Sequence, residues 1–196
     1  MDPTMQLQPE SLEVDSLDPS LQTDLSALQL ANVKAIRALT PEQLSESTQT
    51  LIPQDLMPTP DFMGSLSPSE TTDTLLACLL IWTLSNGLEV PREFQLRAGL
   101  AAVARQDTVV RAGTGQGKTL AMAIPMLLRP NSMAIVVSPL KRLQSTQVNI
   151  GFTVMWLSLP FNQVRVFRRY GIRTLEINDD TPNDELIWKV CSVVDN

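Results

Sequence analysis

Between residues 25 and 39, the apolar positions Leu25, Leu28, Val33, Ile36 and Leu39 recur near helical spacing in an otherwise polar stretch. That spacing predicts one amphipathic helix. Thr40-Pro41 stops it, because a residue before proline is pushed out of the helical region. Pro53, Pro58, Pro60 and Pro68 then predict a linker over 53–68. Ser67-Pro68-Ser69-Glu70 reads as a helix start, and 71–85 is apolar on nearly every side, as a buried helix would be. Asn86-Gly87 closes that helix as a C-cap.

From residue 91 the pattern changes. Arg92 to Gln106 reads as a helix with Phe94, Leu96, Leu100 and Val103 on a broad face. Thr108-Val109-Val110 is a short β-type run, followed by a glycine-rich stretch and the helix-forming LAMAIPMLL. Pro130-Asn131 is a turn, Met133 to Val137 a buried strand, and Ser138-Pro139 the opening of another helix. The order strand, loop, helix, strand predicts the α/β class: the start of a parallel sheet with strands at 108–111, 133–137 and 173–177. The same reading divides the chain into a mostly disordered acidic segment, 1–70, with one possible helix, and a folded unit, 71–196.

Composition narrows the function classes. Two cysteines, Cys78 and Cys191, lie far apart and carry no metal-ligand spacing, and there is no histidine. Histidine-based triads and zinc sites are therefore excluded. The run Thr74 to Leu84 spans 11 residues, too short for a bilayer that needs about 20. No basic region opens the chain as in a signal peptide, so the expected location is intracellular, nuclear or cytoplasmic, with no membrane partner. The net charge of −6 is segregated. Residues 1–70 carry 11 acids against 2 bases, 91–175 carry 12 bases against 2 acids, and 176–196 carry 6 acids against 1 base. A basic block of this kind suits phosphate binding, since that depends on the local field rather than the net charge.

The chemistry concentrates in Ala112-Gly113-Thr114-Gly115-Gln116-Gly117-Lys118-Thr119, between the β-type run and a helix. This is the context of a phosphate-binding loop. Gly113, Gly115 and Gly117 let the backbone bend so that its N–H groups face phosphate oxygens, and the helix N-terminus adds partial positive charge. Lys118 can reach the β- and γ-phosphates, and the Thr119 hydroxyl can take a position on Mg²⁺.

With its leading Ala112, the loop resembles that of superfamily 2 helicases, the DEAD/DEAH and RecQ-like group. Arg92 and Gln95 in PREFQ resemble the upstream element of RecQ-like helicases, and Gln95 precedes Lys118 by 23 residues. The resemblance implies that Gln95 reads the adenine edge, offering a donor and an acceptor together. VVSPLKRLQSTQ at 136–147 resembles motif Ia, which implies backbone contacts to DNA or RNA from Ser138, Pro139, Lys141 and Arg142. The segment 170–178 resembles the strand after that helix. The implied fold is a RecA-like domain, and the implied ligands are ATP, Mg²⁺ and weakly held nucleic acid.

Two features depart from that pattern. An uncharged apolar stretch, Leu143 to Gln163, interrupts the helix expected after motif Ia. Its part from Val148 to about 165, and the tail 190–196, read as translated introns or mis-predicted exon ends. Both begin with valine, whose codons start with GT, the usual intron start. Removing the first part joins LKRLQSTQ to FRRYGIRTLEIN as one helix leading into one strand. The other reading of that part is a genuine hydrophobic insertion that packs on the core or a partner. The sequence also ends at Asn196 with no D-E-x-H or D-E-x-D box and no second RecA-like domain. The expectation is an incomplete RecA-like sheet, ATP- and nucleic-acid-binding but inactive as a helicase by itself, with no catalytic residue of its own. The alternative is a non-catalytic P-loop protein acting as a nucleotide-binding or interaction module. A small P-loop kinase fits less well, because an arginine-rich lid segment is missing after the loop helix.

Overall fold

The computed structural model describes residues 25–113, 115–130, 132 and 165–173. They form six α-helices: α1 (Ala27–Arg37), α2 (Pro41–Leu51), α3 (Pro60–Gly64), α4 (Pro68–Leu84), α5 (Glu93–Val103) and α6 (Lys118–Leu128). A 3₁₀ turn, Gln54–Leu56, links α2 to α3, and residues 165–169 form a further helical turn.

Local chemistry explains the helix starts. Thr40, Thr59 and Ser67 each stand before a proline at the first helical position. Their hydroxyls accept from the backbone N–H of Gln43, Phe62 and Glu70, which would otherwise lack partners. Gln43 and Glu70 reach back to the cap N–H groups and complete capping boxes. At the far end of α4, Asn86 and Gly87 take left-handed φ values of 56° and 77°. The Gly87 N–H donates to Trp82 O at 2.8 Å, so Asn86-Gly87 ends the helix as its sequence indicates.

Helix α4 is the centre of the packing, in contact with α1, α2, α5 and α6. Ala77, Cys78, Leu80 and Ile81 are fully buried along it. The core extends to Ile36 of α1, Leu44 of α2, Ile52, Phe62 of α3, Leu96 of α5, and Ile124 and Leu127 of α6. Helices α5 and α6 approach most closely at Gly99. A Cβ there would lie 2.4 Å from the Cγ2 of Ile124. Ser85 is buried after α4, and its Oγ accepts from the N–H groups of Leu88 and Glu89. Glu89 in turn holds Arg169 and the Tyr170 hydroxyl, fastening residues 165–173 to the α4–α5 connection.

This architecture corrects the expected α/β class. Among the described residues there is no strand and no parallel sheet. Residues 108–111 are exposed and pair with no strand among the described residues, with Val109 98% exposed. Valine favours extended backbone, but a strand also needs a neighbour for its N–H and C=O groups and a face to bury. Among the described residues the core is packed by helices and the turns between them. The expected strand 133–137 and residues 174–177 of the third lie outside the described residues, as does the apolar stretch 143–163. The expected disorder of the acidic segment is corrected over residues 25–70. That stretch holds α1–α3, and the supposed linker 53–68 contains a 3₁₀ turn and a capped helix.

Candidate nucleotide-binding site

The site is built where α5 begins and α6 begins. Gly115 and Gly117 adopt left-handed φ values of 80° and 77°, a region where a Cβ is costly. Gly117 is the N-cap of α6, and no side chain caps that helix. The loop from Gly115 to Lys118 is exposed. The Gln116 N–H donates to Gly113 O and the Leu120 N–H to Gly117 O, while the N–H groups of Gly117, Lys118 and Thr119 have no acceptor among the described residues. The Lys118 ammonium folds back over the loop and donates to Ala112 O at 2.7 Å and Gly113 O at 3.1 Å. Thr119 is half-buried in the first turn of α6.

Gln95 joins the two elements. It is buried at 3% exposure, and its Oε1 accepts from the Arg92 N–H at 2.7 Å. Its Nε2 donates to Gly117 O at 2.9 Å and Gln116 O at 3.3 Å. Both amide hydrogens are committed to the loop, and one lone pair of Oε1 is left over. The approach is so close that a Cβ on Gly117 would sit 2.6 Å from Nε2. Gly117 therefore serves both a left-handed turn and a contact that only glycine permits.

The structure thus brings Arg92, Gln95, Ala112, Gly113, Gly115, Gln116, Gly117, Lys118 and Thr119 into one region. Thr114, Ser138, Pro139, Lys141 and Arg142 lie outside the described residues. Sequence reasoning took Gln95 as a reader of base and missed its hold on the loop. The sequence signalled one half of its role, the bond to the Arg92 N–H, because Gln95 stands three residues after Arg92, the position of a capping-box glutamine. It also missed the packing of α3 against the start of α5. Thr59 donates from both N and Oγ1 to Glu93 Oε1, at 3.0 and 2.7 Å, and Arg97 lies over the Phe62 ring at 4.8 Å.

The residues present fit a triphosphate: an exposed glycine-rich loop, a helix start behind it, and an ammonium whose partners among the described residues are neutral carbonyls. Among the described residues no cluster of acidic, cysteine or histidine side chains could hold a metal. Among the described residues no helix is long and apolar enough to cross a membrane.

Comparison with known proteins bears on this geometry. The DEAD/DEAH box helicase family matches residues 92–170. A Caenorhabditis elegans protein assigned by name as ATP-dependent DNA helicase Q1 is 34% identical over 98 residues, half of this chain and 13% of that protein. The Caenorhabditis briggsae protein of the same name is 31% identical over 98 residues, with the same coverage. The chain thus spans 13% of the length of these relatives. No solved structure matches it. The match begins at Arg92 and takes in α5, the loop and α6, so the residues gathered around Gln95 and Lys118 lie within the stretch that is similar to DEAD/DEAH box helicases and to the two helicase Q1 proteins.

Proposed function

We propose that the chain binds ATP through residues 112–119, with the triphosphate on the loop and the start of α6, as the nucleotide-binding part of a helicase. The observation that carries this reading is the uncapped, exposed start of α6 beside Lys118. The ammonium rests on the carbonyls of Ala112 and Gly113, and charged phosphate oxygens are stronger acceptors than these. On binding, Lys118 exchanges its carbonyl partners for the β- and γ-phosphates, and Thr119 contributes its hydroxyl to Mg²⁺. The free lone pair of Gln95 Oε1 suits the exocyclic amino group of adenine, which donates, and repels the carbonyl oxygen of guanine. Arg92, exposed at the start of α5, flanks the base.

The nucleotide-binding unit is assigned to 71–196, with α1–α3 packed upon it. DNA or RNA is assigned to the basic block 91–175, with Ser138, Pro139, Lys141 and Arg142 on the phosphate backbone. Contacts of this kind position a strand without reading its sequence. Binding should therefore be weak, sequence-tolerant and steeply salt-dependent.

Calorimetric titration with Mg-ATP and with inorganic tripolyphosphate tests the assignment. Lys118→Ala should weaken both by about tenfold to a hundredfold, the value of a charge-assisted hydrogen bond. Equal affinities for the wild type and this variant would sink it.

A further inference from the structure

Helix α3 lies outside the residues matched by the helicase family, yet it is fastened to the first turn of α5, where that match begins. Two contacts do this across more than 30 residues of sequence. Glu93 Oε1 accepts from both the N–H and the hydroxyl of Thr59, and Arg97 sits on the ring of Phe62, which is 2% exposed. The anchor is rigid at both ends. On the α3 side, the Thr59 hydroxyl also caps its helix by accepting from the Phe62 N–H at 3.2 Å, and Pro60 fixes the first helical residue. On the α5 side, Glu93 is the first helical residue, between Arg92 and Gln95.

Gln95 has almost no freedom of its own. Three hydrogen bonds fix its amide, and its backbone N–H donates to Arg92 O at 2.9 Å. The direction of its remaining Oε1 lone pair is therefore set by the pose of the α5 first turn against the loop. Gly99 against Ile124 fixes the middle of α5. Thr59 and Phe62 fix its start. The loop's phosphate-binding groups, in contrast, depend on α6, the glycines and the two Gln95 Nε2 bonds, none of which is made by α3.

We propose that Glu93 is a positioning residue for base recognition, and that the Thr59–Phe62 segment of α3 sets the preference of the site for adenine over guanine by holding the first turn of α5. This rests on the reading of residues 112–119 as a triphosphate site. The division of labour has a definite consequence: loosening the Thr59–Glu93 contact shifts the Arg92 N–H that Gln95 Oε1 accepts from and so turns the acceptor, while the Nε2 bonds to Gln116 O and Gly117 O stay made and keep the loop in place. Base preference and phosphate affinity then separate.

The test is titration of the full 196-residue chain with Mg-ATP, Mg-GTP and tripolyphosphate, comparing wild type, Glu93→Ala, Thr59→Ala and Glu93→Gln. Glu93→Ala and Thr59→Ala should reduce the ATP-to-GTP preference by about threefold to tenfold, the range of one or two partly exposed hydrogen bonds. Tripolyphosphate affinity should stay within about twofold. Glu93→Gln should retain the wild-type preference, because its amide oxygen still accepts from both Thr59 donors. Hydrogen exchange without nucleotide gives a second reading: the Gln95 and Leu96 amides, both bonded to Arg92 O, should exchange faster in Glu93→Ala. An unchanged ATP-to-GTP ratio in Glu93→Ala would overturn the proposal. So would an equal loss for all three ligands, which marks general loosening of the fold. Wild type that binds tripolyphosphate but does not distinguish ATP from GTP refutes the positioning role alone. Wild type that binds no tripolyphosphate refutes the triphosphate site, and the positioning role with it.

Discussion

The Arg37 guanidinium at the end of α1 donates to the carbonyl oxygen of Leu127, 2.6 Å away, in the last turn of α6. The helix that starts at Lys118 is thus held at its far end by the N-terminal helices. A second tie lies alongside, where Arg129 pairs with both carboxylate oxygens of Asp73 in α4, at 3.0 and 3.3 Å. The two are not equal in worth. Arg129 is half exposed, so water screens its pair and the gain is small. Arg37 is partly desolvated, which lowers the pKa of its guanidinium, and it occupies a carbonyl that the helix end leaves open.

Arg37→Met should therefore destabilise the protein by about 1–2 kcal/mol, and Asp73→Asn by less than about 1 kcal/mol. Arg37→Lys should recover only part of the loss, since a single ammonium on a shorter stem does not reproduce the guanidinium geometry. Urea denaturation of the three variants checks the order. A larger effect at Asp73 than at Arg37 would contradict it.

The helix starts show what the sequence makes legible and what it hides. Ser67-Pro68 is readable because an apolar helix comes after it, with Glu70 completing the box. Thr40-Pro41 and Thr59-Pro60 carry the same chemistry, a hydroxyl cap and a first-turn proline, but the helices they open are polar or short. Of α2, only Leu44 and Thr48 are buried, too few for a visible period. Thr40-Pro41 therefore looks like the end of α1 rather than also the start of α2. Leu28 fits the helical spacing of α1 yet is 70% exposed, because spacing marks a face without saying what covers it. Val109 fails for a related reason: β-propensity records a preference, whereas pairing requires a neighbour. The loop was legible because its chemistry is local. The Gln95 brace was not, because it joins residues more than 20 apart.

Cys78 makes the stability fall in alkali. The thiol is fully buried in α4, and burial pushes its pKa up to about 12, against an ordinary value of 9.0. Below the ordinary value, folded and unfolded chains both carry the proton and no pH dependence arises from it. Above it, the unfolded chain ionises first, so folding is penalised progressively until the buried thiol itself titrates. The slope should rise from about 0.7 kcal/mol per pH unit at pH 9 towards about 1.4 at pH 10 and above. Burial beside Glu89 also raises Tyr170, which adds its own slope only above the ordinary tyrosine value of 10.0. Urea midpoints from pH 8 to 10, in a Cys191→Ser background, should decline in the parent and stay flatter after Cys78→Ala. Equal slopes would exclude Cys78 as the source.

Gly99 carries a close contact between α5 and α6. Alanine is a better helix former than glycine by about 1 kcal/mol, so Gly99→Ala would stabilise an exposed helix. Here its Cβ would meet Ile124 at 2.4 Å, and Ile124 is fully buried with nowhere to move. Overpacking of this kind costs about 1–3 kcal/mol. The expected result is a net loss of stability, partly restored in Gly99→Ala with Ile124→Val. Additive effects of the two changes would mean that the helices can part without cost.

Gly115 and Gly117 offer the sharpest comparison, because they share one backbone conformation and differ in what surrounds them. Both have φ near +80°, so alanine at either position costs about 1–2 kcal/mol in backbone strain. A Cβ on Gly115 enters open space, whereas one on Gly117 meets Gln95 Nε2 at 2.6 Å. Gly115→Ala should therefore lower tripolyphosphate affinity by about tenfold, through the loop backbone alone. Gly117→Ala must in addition displace the Gln95 amide, freeing the carbonyls of Gln116 and Gly117 and the Arg92 N–H. Its loss should exceed that of Gly115→Ala by a further tenfold or more, at about 1.4 kcal/mol per tenfold. Removing the obstacle tests the cause. In Gln95→Ala the brace is already gone, so adding Gly117→Ala should then cost no more than Gly115→Ala does. The measurement is a double-mutant cycle on tripolyphosphate affinity, with thermal denaturation of each variant alongside. If Gly117→Ala costs the same with and without Gln95, the two residues are not coupled, and Gln95 does not hold the loop.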